Sequence, residues 1–141
     1  ALAIEVGAND PEINGVAAIG VPADFEDWAR NPRKLLLLAR EMGIVRDDKF
    51  PRSFDDWAEE ISSIRASQAA AALAPRELML VHGSDDEVVP VFDAREVADA
   101  HGSADLRIIG GAGHHLRHDP RAIAVFLGWL DRKRNDLITG S

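Results

Sequence analysis

The chain has 141 residues, enough for one domain with its own core. Hydrophobic residues make up 46%, which excludes a disordered chain, yet no apolar run approaches the ~18 residues needed to span a bilayer. A net charge of −8 repels phosphate backbones and anionic lipid, so neither nucleic acid nor a membrane is an expected partner. Cysteine is absent, which excludes a disulfide framework, a thiolate nucleophile and a cysteine-based zinc site and fits a cytoplasmic protein.

Ala1-Leu2-Ala3-Ile4-Glu5-Val6-Gly7-Ala8 reads as the later turns of a buried helix ending at Gly7 or Asn9, with Pro11 just beyond. No N-cap residue or polar first turn precedes it, so the fold is expected to be truncated at this end. Val16-Ala17-Ala18-Ile19-Gly20-Val21 is a continuous small-apolar run, the pattern of a strand buried on both faces of a parallel sheet. A long helical stretch follows. Asn31-Pro32 supplies a cap and a first-turn proline for a helix over Arg33 to Met42, closed by Gly43. Asp47 to Arg52 is a polar loop, and Ser53-Phe54-Asp55-Asp56 approximates a capping box opening a helix through Trp57, Ile61 and Ile64.

Glu77 to Val81 is the second strand. Pro90 starts a helix with Val91, Ala94, Val97 and Ala98 on one face, and Gly102 ends it. Asp105 to Ile109 is the third strand. Asp119-Pro120 caps the last helix, whose expected apolar stripe is Ile123, Phe126, Leu127 and Leu130, with Asn135 to Ser141 a loose tail. This alternation predicts the α/β class, a parallel sheet covered by helices.

Two loops carry the chemistry. Leu78-Met79-Leu80-Val81-His82-Gly83-Ser84-Asp85-Asp86 and Ile108-Ile109-Gly110-Gly111-Ala112-Gly113-His114 each run from an apolar strand into a glycine-containing loop, one delivering an Asp and the other a His. Successive parallel strands joined by one helix end on the same sheet edge, so the two loops are expected to be spatial neighbours. An ionised Asp86 accepting from one ring nitrogen of His114 would fix its tautomer and leave the other nitrogen free to take a proton. Singly, each residue also fits a plainer role, the Asp as a turn or helix-start charge and the His as a solvated loop residue. Gly-x-Ser-x-Gly occurs nowhere in the chain. Two rivals are weaker. His114, His115, His118 and Asp119 offer metal-type spacing, but Pro120 places the histidines before the helix rather than on it. Gly111-Ala112-Gly113 lacks the third glycine of a dinucleotide fingerprint.

At these residues the sequence resembles the α/β-hydrolase family. His82-Gly83-Ser84-Asp85-Asp86-Glu87-Val88-Val89-Pro90 looks like its H-G-x-x-D-x-x-V-P segment, and Gly111-Ala112-Gly113-His114 looks like its G-A-G-H segment. The resemblance implies that Asp86, not Asp85, is the triad acid and that His114, not His115, is the base. Ala1-Leu2-Ala3-Ile4 is similar to the helix after the nucleophile elbow, which implies a serine a few residues upstream. Pro22-Ala23-Asp24-Phe25 looks like the turn after the next family strand. The implied organisation is one partial domain over residues 1–141, lacking the elbow and central strands, with residues 23–73 a small helical lid-like insertion. In that insertion Phe25, Trp28, Phe50, Phe54 and Trp57 either line an acyl-side pocket or pack the helices onto the sheet. The implied function is a serine hydrolase acting on a small-molecule ester or amide, with no cofactor and no metal, this chain alone being inactive. The implied partners are the missing N-terminal half of the fold and, through an open edge on the first strand, a second copy of the chain. The alternative is a non-catalytic binding or regulatory protein on the same scaffold.

Overall fold

The computed structural model describes residues 1–41 and 43–140. It divides into two compact units, Ala1–Ala23 with Ala66–Ser141, and Asp24–Arg65.

The larger unit is built on three parallel strands in the order β1-β2-β3, namely β1 Gly15–Ile19, β2 Glu77–Gly83 and β3 Asp105–Ile109. The helices are α1 Leu2–Asn9, α5 Ala66–Leu73, α6 Val91–His101 and α7 Pro120–Thr139. β2 is central, and its side chains alternate between two cores, as strand geometry requires. Leu78 and Leu80 join Ile4, Val16, Ala18, Ala70, Leu73 and Val97, from β1, α1, α5 and α6. Met79 and Val81 join Ile109, Leu116, Ala122 and Trp129 on the α7 face.

The strands fall where the apolar runs predict. β1 lies outermost, as the open edge expected of it requires, but it is buried on one face only: Val16 and Ala18 are buried, whereas Ala17 is half-buried and Ile19 exposed. The lid-like segment expected over residues 23–73 is a compact unit only over Asp24–Arg65. Its last part, α5, instead buries Ala66, Ala69, Ala70 and Leu73 in the sheet's core. The four alanines from Ala69 to Ala72 allow close packing that a sequence pattern does not assign to either side.

α7 differs twice from expectation. Its buried residues are Ala122 and Trp129, while Ile123, Leu127 and Leu130 of the expected stripe are exposed. Trp129 sets the orientation, since its Nε1–H donates to Glu77 Oε2 at 3.1 Å and Lys133 Nζ lies 2.6 Å from Glu77 Oε1. The helix also continues through the expected tail to Thr139, with Gly140 in the left-handed conformation at its end. Lys133 pairs with Asp136 at 3.3 Å and Arg134 with Asp131 at 3.3 Å along that stretch. The last residue of the expected tail, Ser141, lies outside the described residues.

One arginine closes the α1 end of the unit. Arg76 donates through Nη1 to the carbonyls of Asp10 and Ile13, both at 2.7 Å, and through Nη2 to that of Ala8 at 3.2 Å. These carbonyls line the segment where α1 stops and the chain turns into β1, that of Asp10 also accepting from Ile13 N at 3.3 Å. Arg76→Met, which keeps the apolar stem, is expected to lower unfolding free energy by about 1–3 kcal/mol in urea titrations.

The smaller unit holds α2 Glu26–Ala29, α3 Pro32–Glu41 and α4 Phe54–Ser63. α3 opens at Pro32, with Asn31 Oδ1 accepting from Lys34 N at 3.1 Å. Gly43 follows it at φ +70°. Met42, the last residue of the expected helix, lies outside the described residues. Ser53 caps α4 by accepting from Asp56 N at 3.3 Å. No helix among the described residues is long and apolar enough to cross a membrane.

Candidate active site

β2 ends at Gly83, and the next residues are stitched directly to the loop after β3. Ser84 N donates to Ile109 O at 3.1 Å and Asp85 N to Ala112 O at 2.9 Å. Ser84 Oγ accepts from Gly111 N at 2.8 Å. Of the three loop glycines, only Gly111 has positive φ, at +71°, where a side chain would be strained. Gly83 is required for another reason. A Cβ there would collide with the Ala112 carbonyl and stand 2.6 Å from the Gly113 carbonyl.

This stitching brings Asp86 and His114 together. His114 Nδ1 lies 2.9 Å from Asp86 Oδ2. The other carboxylate oxygen, Oδ1, accepts from the backbone N–H groups of Val88 at 2.9 Å and Val89 at 2.8 Å. The Asp86 side chain is fully buried, while that of His114 is about one third exposed. The His114 ring rests over Gly20 at the end of β1, where an added Cβ would stand 3.2 Å from Cε1. Asp85 and His115 stay out of the pair. Asp85 is exposed and accepts from Ser84 Oγ at 2.6 Å, and His115 is an exposed neighbour whose ring centroid lies 6.1 Å from that of His114.

Burial pushes the Asp86 carboxyl up, but the N–H of Val89, the His114 ring and the N–H of Val88 outweigh it and hold the group below the usual carboxylate range. Asp86 is therefore ionised near neutral pH and accepts the Nδ1–H of His114. Nε2 of His114 is left as a bare proton acceptor. At the start of α7, Asp119 caps through Arg121 N at 2.9 Å. The Arg121 guanidinium leads in pulling its carboxyl down to about 2.

Both carboxylates contribute to the acid behaviour. Each has a lower pKa folded than unfolded, so each contributes stability that is complete above about pH 4 and lost as pH falls, for Asp119 through about 2. The urea midpoint is expected to drop steadily below about pH 4. Asp119→Asn should flatten the part below about pH 3 while keeping a capping oxygen. An unchanged slope in that variant overturns the assignment.

No family model matches the chain. It is 29% identical over 65 residues to the 2-hydroxymuconate semialdehyde hydrolase of Pseudomonas sp. (strain CF600), a stretch covering 46% of this chain and 22% of that protein. The structure is similar to the esterase domain of a Rhodothermus marinus protein, with TM-score 0.63 and 20% identity, covering 93% of this chain and 56% of that one. It is likewise similar to a meta-cleavage product hydrolase from Pseudomonas fluorescens IP01, with TM-score 0.58 and 20% identity, covering 93% of this chain and 61% of that one. The chain has the α/β-hydrolase fold. It spans less than two thirds of the length of these relatives.

The remaining candidates on this α/β-hydrolase fold fall outside the pair. Among the described residues, no three His, Asp or Glu side chains are grouped to hold a metal ion. His118 lies in a 3-10 turn over Leu116–His118, with its Nε2 accepting from Arg117 Nε at 3.0 Å. Within the smaller unit the aromatic residues meet one another: Phe25 with Trp28, and both Phe50 and Phe54 with Trp57. Arg33 stacks over Phe54 at 5.1 Å. Trp28 also lines a cavity of about 390 Å³ with Leu35 and Leu38.

Sequence reasoning missed three residues that shape the site, Gly20, Gly83 and His82. The glycines were legible only as strand-end residues, and their closeness to His114 or its loop is a product of the tertiary fold. In the sequence His82 stands out only as the first residue of the motif over residues 82–90.

Proposed function

We propose that this chain supplies the acid and the base of a serine hydrolase, Asp86 and His114, to a nucleophilic serine outside it. The observation that carries the reading is the 2.9 Å contact between His114 Nδ1 and the buried Asp86 carboxylate. It directs the bare Nε2 of a half-buried ring away from the carboxylate. In such a site Nε2 takes the serine proton as the hydroxyl attacks an ester or amide carbonyl, then returns it to the leaving group. Asp86 holds the tautomer and stabilises the transient imidazolium. The 29% identity to a named hydrolase supports the same reaction class for a small-molecule substrate.

Four of the chain's seven serines are already committed to other hydrogen bonds. Ser84, next to the site, is committed to Asp85 and Gly111. Ser53, Ser62 and Ser63 belong to the smaller unit, where Ser53 caps α4 and the other two bond backbone carbonyls in that helix. A fluorophosphonate probe is therefore expected to leave this chain unlabelled. It should label, at a Gly-x-Ser-x-Gly serine, a polypeptide joining the chain to the coding segment upstream of it. Labelling of a serine within residues 1–140 overturns the assignment. An inert joined polypeptide favours a non-catalytic binding protein on this scaffold.

A further inference from the structure

A second imidazole, buried beside the pair, has no part in the proton transfer just described. His82, on β2, is fully buried. Its Nε2 lies 2.9 Å from the Val89 carbonyl oxygen and 3.3 Å from Asp86 Oδ2. Both neighbours are acceptors, so hydrogen-bond accounting puts the ring proton on Nε2, which donates to Val89. Nδ1 is buried with no hydrogen-bond partner among the described residues, and a proton there would be a donor with no acceptor. Val89 is thus gripped on both sides of one residue. Its carbonyl is held by His82, and its N–H is the 2.8 Å donor to Asp86 Oδ1.

We infer that His82 is a positioning residue for the Asp86–His114 pair: its Nε2–H fixes the Val89 residue that grips one carboxylate oxygen and faces the other, setting the plane in which Asp86 meets His114. This deepens the proposed function and rests on it only in calling the pair an acid and a base. The relay itself runs from His82 through Val89 to Asp86 Oδ1, and across the carboxylate from Oδ2 to His114 Nδ1. A residue that merely filled space at the end of β2 would need the shape of the ring but not its donor.

The test is long-range proton–nitrogen NMR on the whole chain with labelled histidine. His82 is expected to show protonated Nε2 and bare Nδ1, and His114 a downfield, slowly exchanging Nδ1–H. His82→Gln brings an amide donor to the Nε2 position, whereas His82→Leu keeps the bulk without a donor. The His114 Nδ1–H signal should survive in the glutamine variant and be lost in the leucine variant, both giving dispersed, folded spectra. A folded leucine variant with that signal unchanged overturns the inference. If the leucine variant does not fold, the parent spectrum decides, because His82 protonated on Nδ1 is equally fatal. Failure of the joined polypeptide to react with fluorophosphonate would leave these spectra as they are, so the two readings fail separately.

Discussion

Replacing His114 with alanine is expected to cut kcat on the order of 10⁴- to 10⁶-fold in a polypeptide that joins this chain to a serine nucleophile. The loss is large because no other group replaces Nε2 as proton acceptor: His115 is exposed, and His118 is bonded to Arg117. Asp86→Asn should cost about 10⁴-fold, because an amide can present N–H where the carboxylate accepts and so favours the wrong ring tautomer. KM should change little in both, since the pair acts on the proton rather than on the bulk of the substrate. His115→Ala and Asp85→Asn serve as controls, one residue away in each loop. Steady-state kinetics on a simple ester would overturn the site if either control proved the more damaging member of its pair.

Gly83→Ala should be among the most destabilising single-atom additions to the larger unit, at about 3 kcal/mol or more. The new methyl would enter space held by the carbonyls of Ala112 and Gly113. The Ala112 carbonyl cannot retreat alone, because it already accepts from Asp85 N at 2.9 Å, beside the bond from Ser84 N to Ile109 O at 3.1 Å. Relief would therefore separate the loops that hold Asp86 and His114. Gly110→Ala is the matched control in the same loop, with no atom within 4 Å of the added carbon and no positive φ. It should be neutral or slightly stabilising. Equal thermal melting of the two variants would refute the packing account.

The strands and the meeting of Asp86 with His114 were legible because they depend on local pattern. Leu78 to Val81 is apolar without interruption, as a strand buried on both faces must be, and β2 is central. The Val16 to Ile19 run looks the same, yet only one face of β1 is buried. How much of each face is covered depends on the elements packed there, not on a strand's own composition. The face of α7 was misread for a related reason. Ile123, Leu127 and Leu130 outweigh Ala122 on any hydropathy scale, but the tryptophan that reaches Glu77 turns the helix. The end of that helix, expected to be a tail, is supported by charge pairs such as Lys133 with Asp136. His82 escaped notice because a histidine within an apolar strand carries no local sign of its partners, which here arrive with the turn after β2.

The direct bonds between the β2 and β3 loops bear on how such a protein can change over time. Asp86, His114 and the hydrogen bonds that orient them all lie in the larger unit, between His82 and the start of α7. Substitutions, insertions or wholesale replacement within Asp24–Arg65 touch none of these bonds. Selection can thus remodel that helical segment while the Asp86–His114 geometry is inherited intact, as a part that travels by recombination rather than being rebuilt.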